Sequence, residues 1–193
     1  ICPLYQGNGD AKQLVAINHS SAWHFSDRTR PPKGPHPAPL TGSLPLSGVV
    51  VVEACRRIQG PLAGHLLALL GARLIRIEPP GGDPLRGMSP LHDGVSTRFD
   101  ALNHLKEVVE IDIKSASGQQ QIKELVCGAD VFLHNWAPGK AAQYSLDAAD
   151  MRSCNPHLIY AYAGGWGPLD ATTRLPGTDF MVQAFSGLAA DIG

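Results

Sequence analysis

From Leu46 onward, short apolar runs rich in β-branched residues alternate with stretches in which apolar residues recur every three or four positions. Gly48-Val49-Val50-Val51-Val52-Glu53 is an unbroken apolar run closed by an acid, the pattern of a strand covered on both faces. Gly60-Pro61 then opens a helix, since proline near the first turn gives up an amide that has no helical partner there. Leu62, His65, Leu66, Leu69 and Leu70 follow at helical spacing, and Gly71 supplies the stop. A strand over 73–78 comes next, ended by Pro79-Pro80-Gly81-Gly82. Strand, helix and strand within about thirty residues make a βαβ unit, whose crossover is expected to be right-handed.

The alternation continues. It predicts a strand over 108–113 and a helix capped by Ser115 or Ser117 that runs through Val126. A strand over 130–134, a helix starting near Pro138, Gly139 or Lys140, a short helix from Asp147 and a strand over 158–162 follow. The fold class is therefore α/β, a mostly parallel sheet covered by helices, with no internal repeat.

Residues 1–45 break the pattern. The stretch 30–39 holds five prolines, which lack amide donors and build neither helix nor central strand. It reads as an extended linker, and Trp23, His24 and Phe25 before it as a strap or the tail of an earlier domain. The chain thus divides into a strap and linker over 1–45 and a folded domain over 46–193. Ile1 in place of Met, ahead of a linker, leads us to expect a piece of a longer protein.

Composition narrows the function. An apolar share of 44% and a charged share of 17% are those of an ordinary globular domain. A net charge of −1 offers no basic surplus for nucleic acid. No apolar stretch reaches the roughly 20 residues needed to span a bilayer, and the opening does not read as a signal peptide. Cys2, Cys55, Cys127 and Cys154 are scattered with no C-x-x-C pair, which suggests no metal site and buried thiols in a reducing cytoplasm.

Open parallel sheets bind ligands at the carboxyl ends of their strands. The first such loop, Cys55-Arg56-Arg57-Ile58-Gln59-Gly60, lacks the G-x-G-x-x-G of a dinucleotide enzyme, and the chain has no P-loop. Two arginines stand there instead, suited to a phosphorylated ligand or simply solvated. Gly81-Gly82-Asp83-Pro84-Leu85-Arg86 and Asn103-His104-Leu105-Lys106 add cations near other strand ends. His134-Asn135-Trp136-Ala137-Pro138-Gly139-Lys140 adds an amide, a flat indole and a helix start. Trp136 is suited to stack on a purine while Lys140 and the helix start attract phosphate. Together these suit a nucleotide with several phosphates.

The ordered series Pro45 to Glu53 with Gly60-Pro61, the blocks 70–84, 103–114, 129–139 and 155–160, Gly164-Gly165-Trp166-Gly167-Pro168, and Gly177-Thr178-Asp179 resembles the family III CoA-transferases. This group includes formyl-CoA and carnitine CoA-transferases and α-methylacyl-CoA racemase. The resemblance implies a Rossmann-like CoA-binding domain, the amino-terminal part of a longer chain that works as an interlocked homodimer on acyl-CoA and carboxylate substrates. It implies CoA contacts at Arg56, Arg57, Ile111, Asn135, Trp136 and Lys140. It also implies an aspartyl nucleophile about thirty residues past Asp179, beyond Gly193, leaving Asp179 a supporting role or a helix-capping one. A basic residue common in the family four positions after the Pro-Gly turn is Gln143 here. The racemase branch has a histidine where this chain has Thr178, which has no group titrating near neutrality, so transfer is expected rather than racemisation. The competing expectations are a non-catalytic CoA-binding half of a tandem protein and a dinucleotide oxidoreductase, the latter disfavoured by the missing glycine fingerprint.

Overall fold

The computed structural model describes residues 43–165 and 177–192. They fall into two units, each taken by itself below. Expectations for the segment before Ser43 and for Trp166 to Pro168 lie outside the described residues.

The larger unit, 43–136 with 140–163 in its described part, contains seven strands. In chain order they are β1 (Val50–Ala54), β2 (Arg73–Glu78), β3 (Leu91–His92), β4 (Val95–Ser96), β5 (Glu107–Glu110), β6 (Val131–His134) and β7 (Ile159–Tyr162). Five of them form one sheet in the order β5-β2-β1-β6-β7, every pairing parallel, while β3 and β4 make a small antiparallel hairpin. The helices are α1 (Gln59–Leu69), α2 (Thr97–Asn103), α3 (Ala116–Cys127), α4 (Lys140–Gln143) and α5 (Ala148–Cys154), with a 3-10 turn at Pro84–Gly87. The fold is the α/β sheet that the alternating pattern predicts.

Side chains alternate across β1, so its apolar run serves both faces. Val51, Leu74 and Leu133 pack with Ala63, Leu67 and Ala68 of α1. Val52, Ile77 and Phe132 pack on the other face with Ile122 and Val126 of α3, with Met151 of α5 and with Leu146. Local chemistry sets the helix starts. Ser115 Oγ accepts from Gly118 N at 3.0 Å to cap α3, and Asp147 with Asp150 forms a reciprocal capping box on α5.

Two expectations change, and one stretch carried none. The strand predicted over 108–113 ends at Glu110, because Asp112 turns the chain by accepting from Lys114 N at 2.9 Å. The elements between Pro84 and Asn103 are too short to leave a periodic signal and were not read from sequence. Of the cysteines, Cys55 is buried as expected, but Cys127 and Cys154 are exposed, since each closes a helix at the rim of the sheet rather than inside it.

The described part of the second unit comprises 137–139, 164–165 and 177–192. It holds α6 (Asp179–Ser186) and α7 (Leu188–Ile192), separated by Gly187 at φ 82°. Gly165 and Gly177 bring their backbones so close that a Cβ on either would overlap the other. Thr178, not Asp179, takes the N-cap position of α6, so the capping role considered for Asp179 is corrected: it is the first helical residue and is exposed. Among the described residues, no helix is long and apolar enough to cross a membrane.

Candidate active site at the turning point of the sheet

The chain lays β2 and β5 on one side of β1, then returns to lay β6 and β7 on the other. At such a reversal the loops leaving neighbouring strands part toward opposite faces and open a crevice. Ala54 stands in register with His134, so the segments after β1 and β6 leave the sheet side by side.

Asn135 fastens them together. Its Oδ1 accepts from Arg56 N at 2.9 Å and its Nδ2 donates to Arg56 O at 2.8 Å. One side-chain amide thus supplies both partners that a strand would otherwise give Arg56, and holds its backbone past the end of the ladder. Arg57 follows with φ 63°, the left-handed region that a non-glycine residue adopts only when its surroundings impose it. Both arginine side chains are exposed, and neither guanidinium has an ion-pair partner among the described residues.

Trp136 is half-buried, its ring 5.8 Å from Phe132 edge-on and 5.0 Å from His134. It is supported from below rather than sealed in. Lys140, the first residue of α4, lies 5.9 Å over the Tyr144 ring. Ile111 is different: its side chain is in the core, and its backbone N donates to Glu78 O at 2.8 Å. Any contact from this position to a ligand is made by main chain. Asp179 stands in the second unit.

Two cations that the strand-end reading counted toward a ligand are committed internally. Lys106 donates to Glu53 Oε2 at 2.7 Å, Pro61 O at 2.8 Å and Asn103 Oδ1 at 3.0 Å, using all three ammonium protons. Arg86 makes a two-pronged contact with Glu78 at 2.8 and 2.9 Å and lies 4.3 Å over the Phe99 ring. Between them sits Arg76, its side chain 1% exposed, bonded to Glu53, Glu78 and Asp83 at 2.6, 3.1 and 2.6 Å. Three acids face three bases beneath the ends of β1 and β2. Gly64 makes room, since a Cβ there would collide with the Glu53 carboxylate. Burial works against the Glu78 charge, yet the bonds from Arg86 and from the Asp83 backbone leave its carboxyl below the usual range. Burial lowers Lys106, with Glu53 opposing.

Sequence reading also passed over His134. It is 4% exposed, ringed by Phe132, Trp136, Tyr160 and Tyr162, and burial holds its pKa at about 4. Its Nδ1 accepts from Trp136 N at 3.4 Å, which leaves the imidazole neutral with the proton on Nε2. Cys55 is no nucleophile: burial, then the Glu53 charge, pushes its thiol well up. Among the described residues, no three His, Cys, Asp or Glu side chains are grouped to hold a metal.

An open parallel sheet flanked by helices, with a polar clamp and two exposed arginines at its reversal, places the chain in the α/β class. The chain belongs to CoA-transferase family III, whose sequence profile matches residues 46–193. It is 36% identical over 146 residues to the human succinyl-CoA:glutarate CoA-transferase, covering 75% of this chain and 33% of that protein. It is also 36% identical over 157 residues to the succinate–glutarate CoA-transferase of Agrobacterium fabrum, covering 77% and 39%. The crystal structure of Rv3272 from Mycobacterium tuberculosis superposes with a TM-score of 0.70 at 35% identity, covering 76% of this chain and 41% of that one. A CAIB/BAIF family protein from Brucella suis gives 0.69 at 34% identity, covering 75% and 40%. The chain therefore spans about a third to two fifths of the length of these relatives.

Proposed function

We propose that this protein moves CoA from an acyl-CoA donor to a carboxylate acceptor, and that the segment described here supplies CoA binding. The observation that carries the proposal is the Asn135 clamp on Arg56, which joins both loops of the reversal beside two exposed guanidiniums. Arg56 and Arg57 would meet the phosphates, with Lys140 adding charge, while Trp136 would offer its open face to the adenine. Asn135 and the main chain at Ile111 would fix the crevice walls.

On this reading the chemistry follows the family resemblance. An aspartate carboxylate attacks the thioester carbonyl, the C–S bond breaks, and CoA leaves as thiolate from a mixed anhydride. The thiolate attacks the aspartyl carbonyl and releases the donor carboxylate. The acceptor carboxylate then takes the aspartyl carbonyl from CoA, and returning thiolate captures the new acyl group and frees the aspartate. No net proton is consumed and the activated bond is never given to water. The attacking aspartate would follow Gly193, with Asp179 in support. The protein would act in the cytoplasm as an interlocked homodimer, needing no metal, nucleic acid or membrane.

Titration calorimetry of the full-length protein with CoA tests the binding half. We expect a dissociation constant on the order of micromolar, weakened about tenfold or more in Arg56→Ala and in Trp136→Ala, with no NAD binding. Unchanged affinity in both variants, or NAD binding in place of CoA, would overturn it. Mass spectrometry after incubation with a panel of acyl-CoAs tests the transfer half, through an acylated aspartate.

A further inference from the structure

Away from the crevice, the carboxyl ends of α3 and α5 bring two exposed thiols together. Cys127 is the last residue of α3 and Cys154 the last of α5. Cys154 Sγ donates to Met151 O at 3.1 Å and lies 3.8 Å from Lys123 O, one turn before Cys127 on α3. These contacts set Cys154 Sγ against the last turn of α3, the turn that Cys127 ends. A buried amide holds this juncture: Asn155, next to Cys154, donates through Nδ2 to Val126 O at 2.9 Å and Ala129 O at 2.7 Å, on either side of Cys127. The pair is set by the backbone of two packed helix ends, not by two wandering side chains. Nothing in the proposed transfer uses it.

We propose that Cys127 and Cys154 form a redox-responsive dithiol, closed to an intramolecular disulfide by exchange with a low-molecular-weight disulfide such as glutathione disulfide. The Cys127 thiolate attacks one sulfur of glutathione disulfide, the S–S bond breaks, and one glutathione departs as thiolate. Cys154 then gives up its proton and attacks the Cys127 sulfur, expelling the second glutathione. Two protein thiols are oxidised, one glutathione disulfide is reduced to two thiols, and the two protons pass from the cysteines to the glutathiones.

The order of attack follows from the local environment. Cys154 Sγ donates to Met151 O at 3.1 Å, which holds it as the thiol and makes it the resolving partner, and its partial burial pushes in the same direction. The closed bridge would encircle β6, Asn135, Trp136 and Lys140, the stretch that carries half of the crevice. Oxidation state would thereby set how freely that stretch moves.

The full-length protein is equilibrated in glutathione buffers of rising oxidised fraction, denatured in alkylating reagent and digested with trypsin. The expected product is a disulfide between peptide 124–140 and peptide 153–174, with both thiols lost together. Free thiols or separate glutathione adducts on both cysteines in the most oxidising buffer would overturn the proposal. In Cys154→Ser the same buffer should leave a stable glutathione adduct on Cys127. A Cys127 that stays unmodified there would overturn the assigned order of attack and the proposal with it.

Discussion

The two faces of the central sheet solve the same burial problem with opposite chemistry. On the α3 and α5 face, Val52, Phe132, Ile122, Met151 and Leu158 are wholly buried and apolar. On the α1 face, Val51 and Leu74 give way toward the strand ends to Glu53, Arg76 and Glu78, each at most 1% exposed and reached by Lys106, Asp83 and Arg86. An apolar core degrades gradually, because each lost methylene removes a bounded amount of transfer and packing energy. A buried ion network behaves as a unit: complete, it is roughly neutral in stability, but one missing member leaves uncompensated charge in low dielectric. The charged face directly underlies the ends of β1 and β2, and Lys106 ties it to Pro61 O in the first turn of α1, just past the loop that carries Arg56 and Arg57.

The comparison is broken most sharply by Arg76→Met. Removing the central cation leaves three buried acids against two bases, and urea unfolding should show a loss of about 3–5 kcal/mol or a chain that does not fold. Stability near an intact charge balance would show the network to be dispensable.

The next effect is pH-dependent and belongs to the apolar face. The folded-state pKa of His134, about 4, lies below the ordinary value of 6.5. The unfolded chain therefore takes up a proton as pH falls through 6.5, and the folded protein does so only near 4. The stability that this group contributes is full above 6.5, drains away between 6.5 and 4, and is level below. A loss of about 3 kcal/mol over that window, absent in His134→Phe, is expected from denaturation at stepped pH. A window unchanged in the variant would assign the titration elsewhere.

Smaller still, Ile122→Val on the apolar face should cost about 1 kcal/mol, with no change in the dependence on denaturant. Last, Arg73→Ala removes the exposed pair with Glu107 at 2.7 Å and should leave the unfolding midpoint where it is. If the exposed pair mattered as much as the buried ones, burial would not be what separates them.

Sequence pattern disclosed the elements whose information is local. The valine run of β1, the Gly60-Pro61 entry to α1, a cap at Ser115 or Ser117 and a helix start at Asp147 were all legible where they stand. The stretch from Pro84 to Lys106 was not, because its order comes from ion pairs to Glu53 and Glu78, partners that spacing along the chain does not reveal. That is also why Arg86 and Lys106 looked like ligand cations. A signal was present: Arg76 and Glu78 interrupt the apolar pattern of a strand in a sheet covered by helices, where charge survives only if paired. At the site, Arg56, Asn135 and Trp136 could be singled out one by one. The clamp that joins two of them depends on the pairing of β1 with β6, which no local pattern encodes. His134 drew no notice, since a histidine ending an apolar run carries no mark of its solvation.

Among the described residues the first strand is the middle strand of the sheet, and this order bears on synthesis. While the chain emerges from the ribosome, β1 finds β2 within a few tens of residues, but its other flank stays open until 131–134 have appeared. For that interval a valine-rich edge offers unpaired backbone to any passing strand, a hazard for a nascent polypeptide. Closure by β6 is thus the long-range step expected to set the pace of maturation.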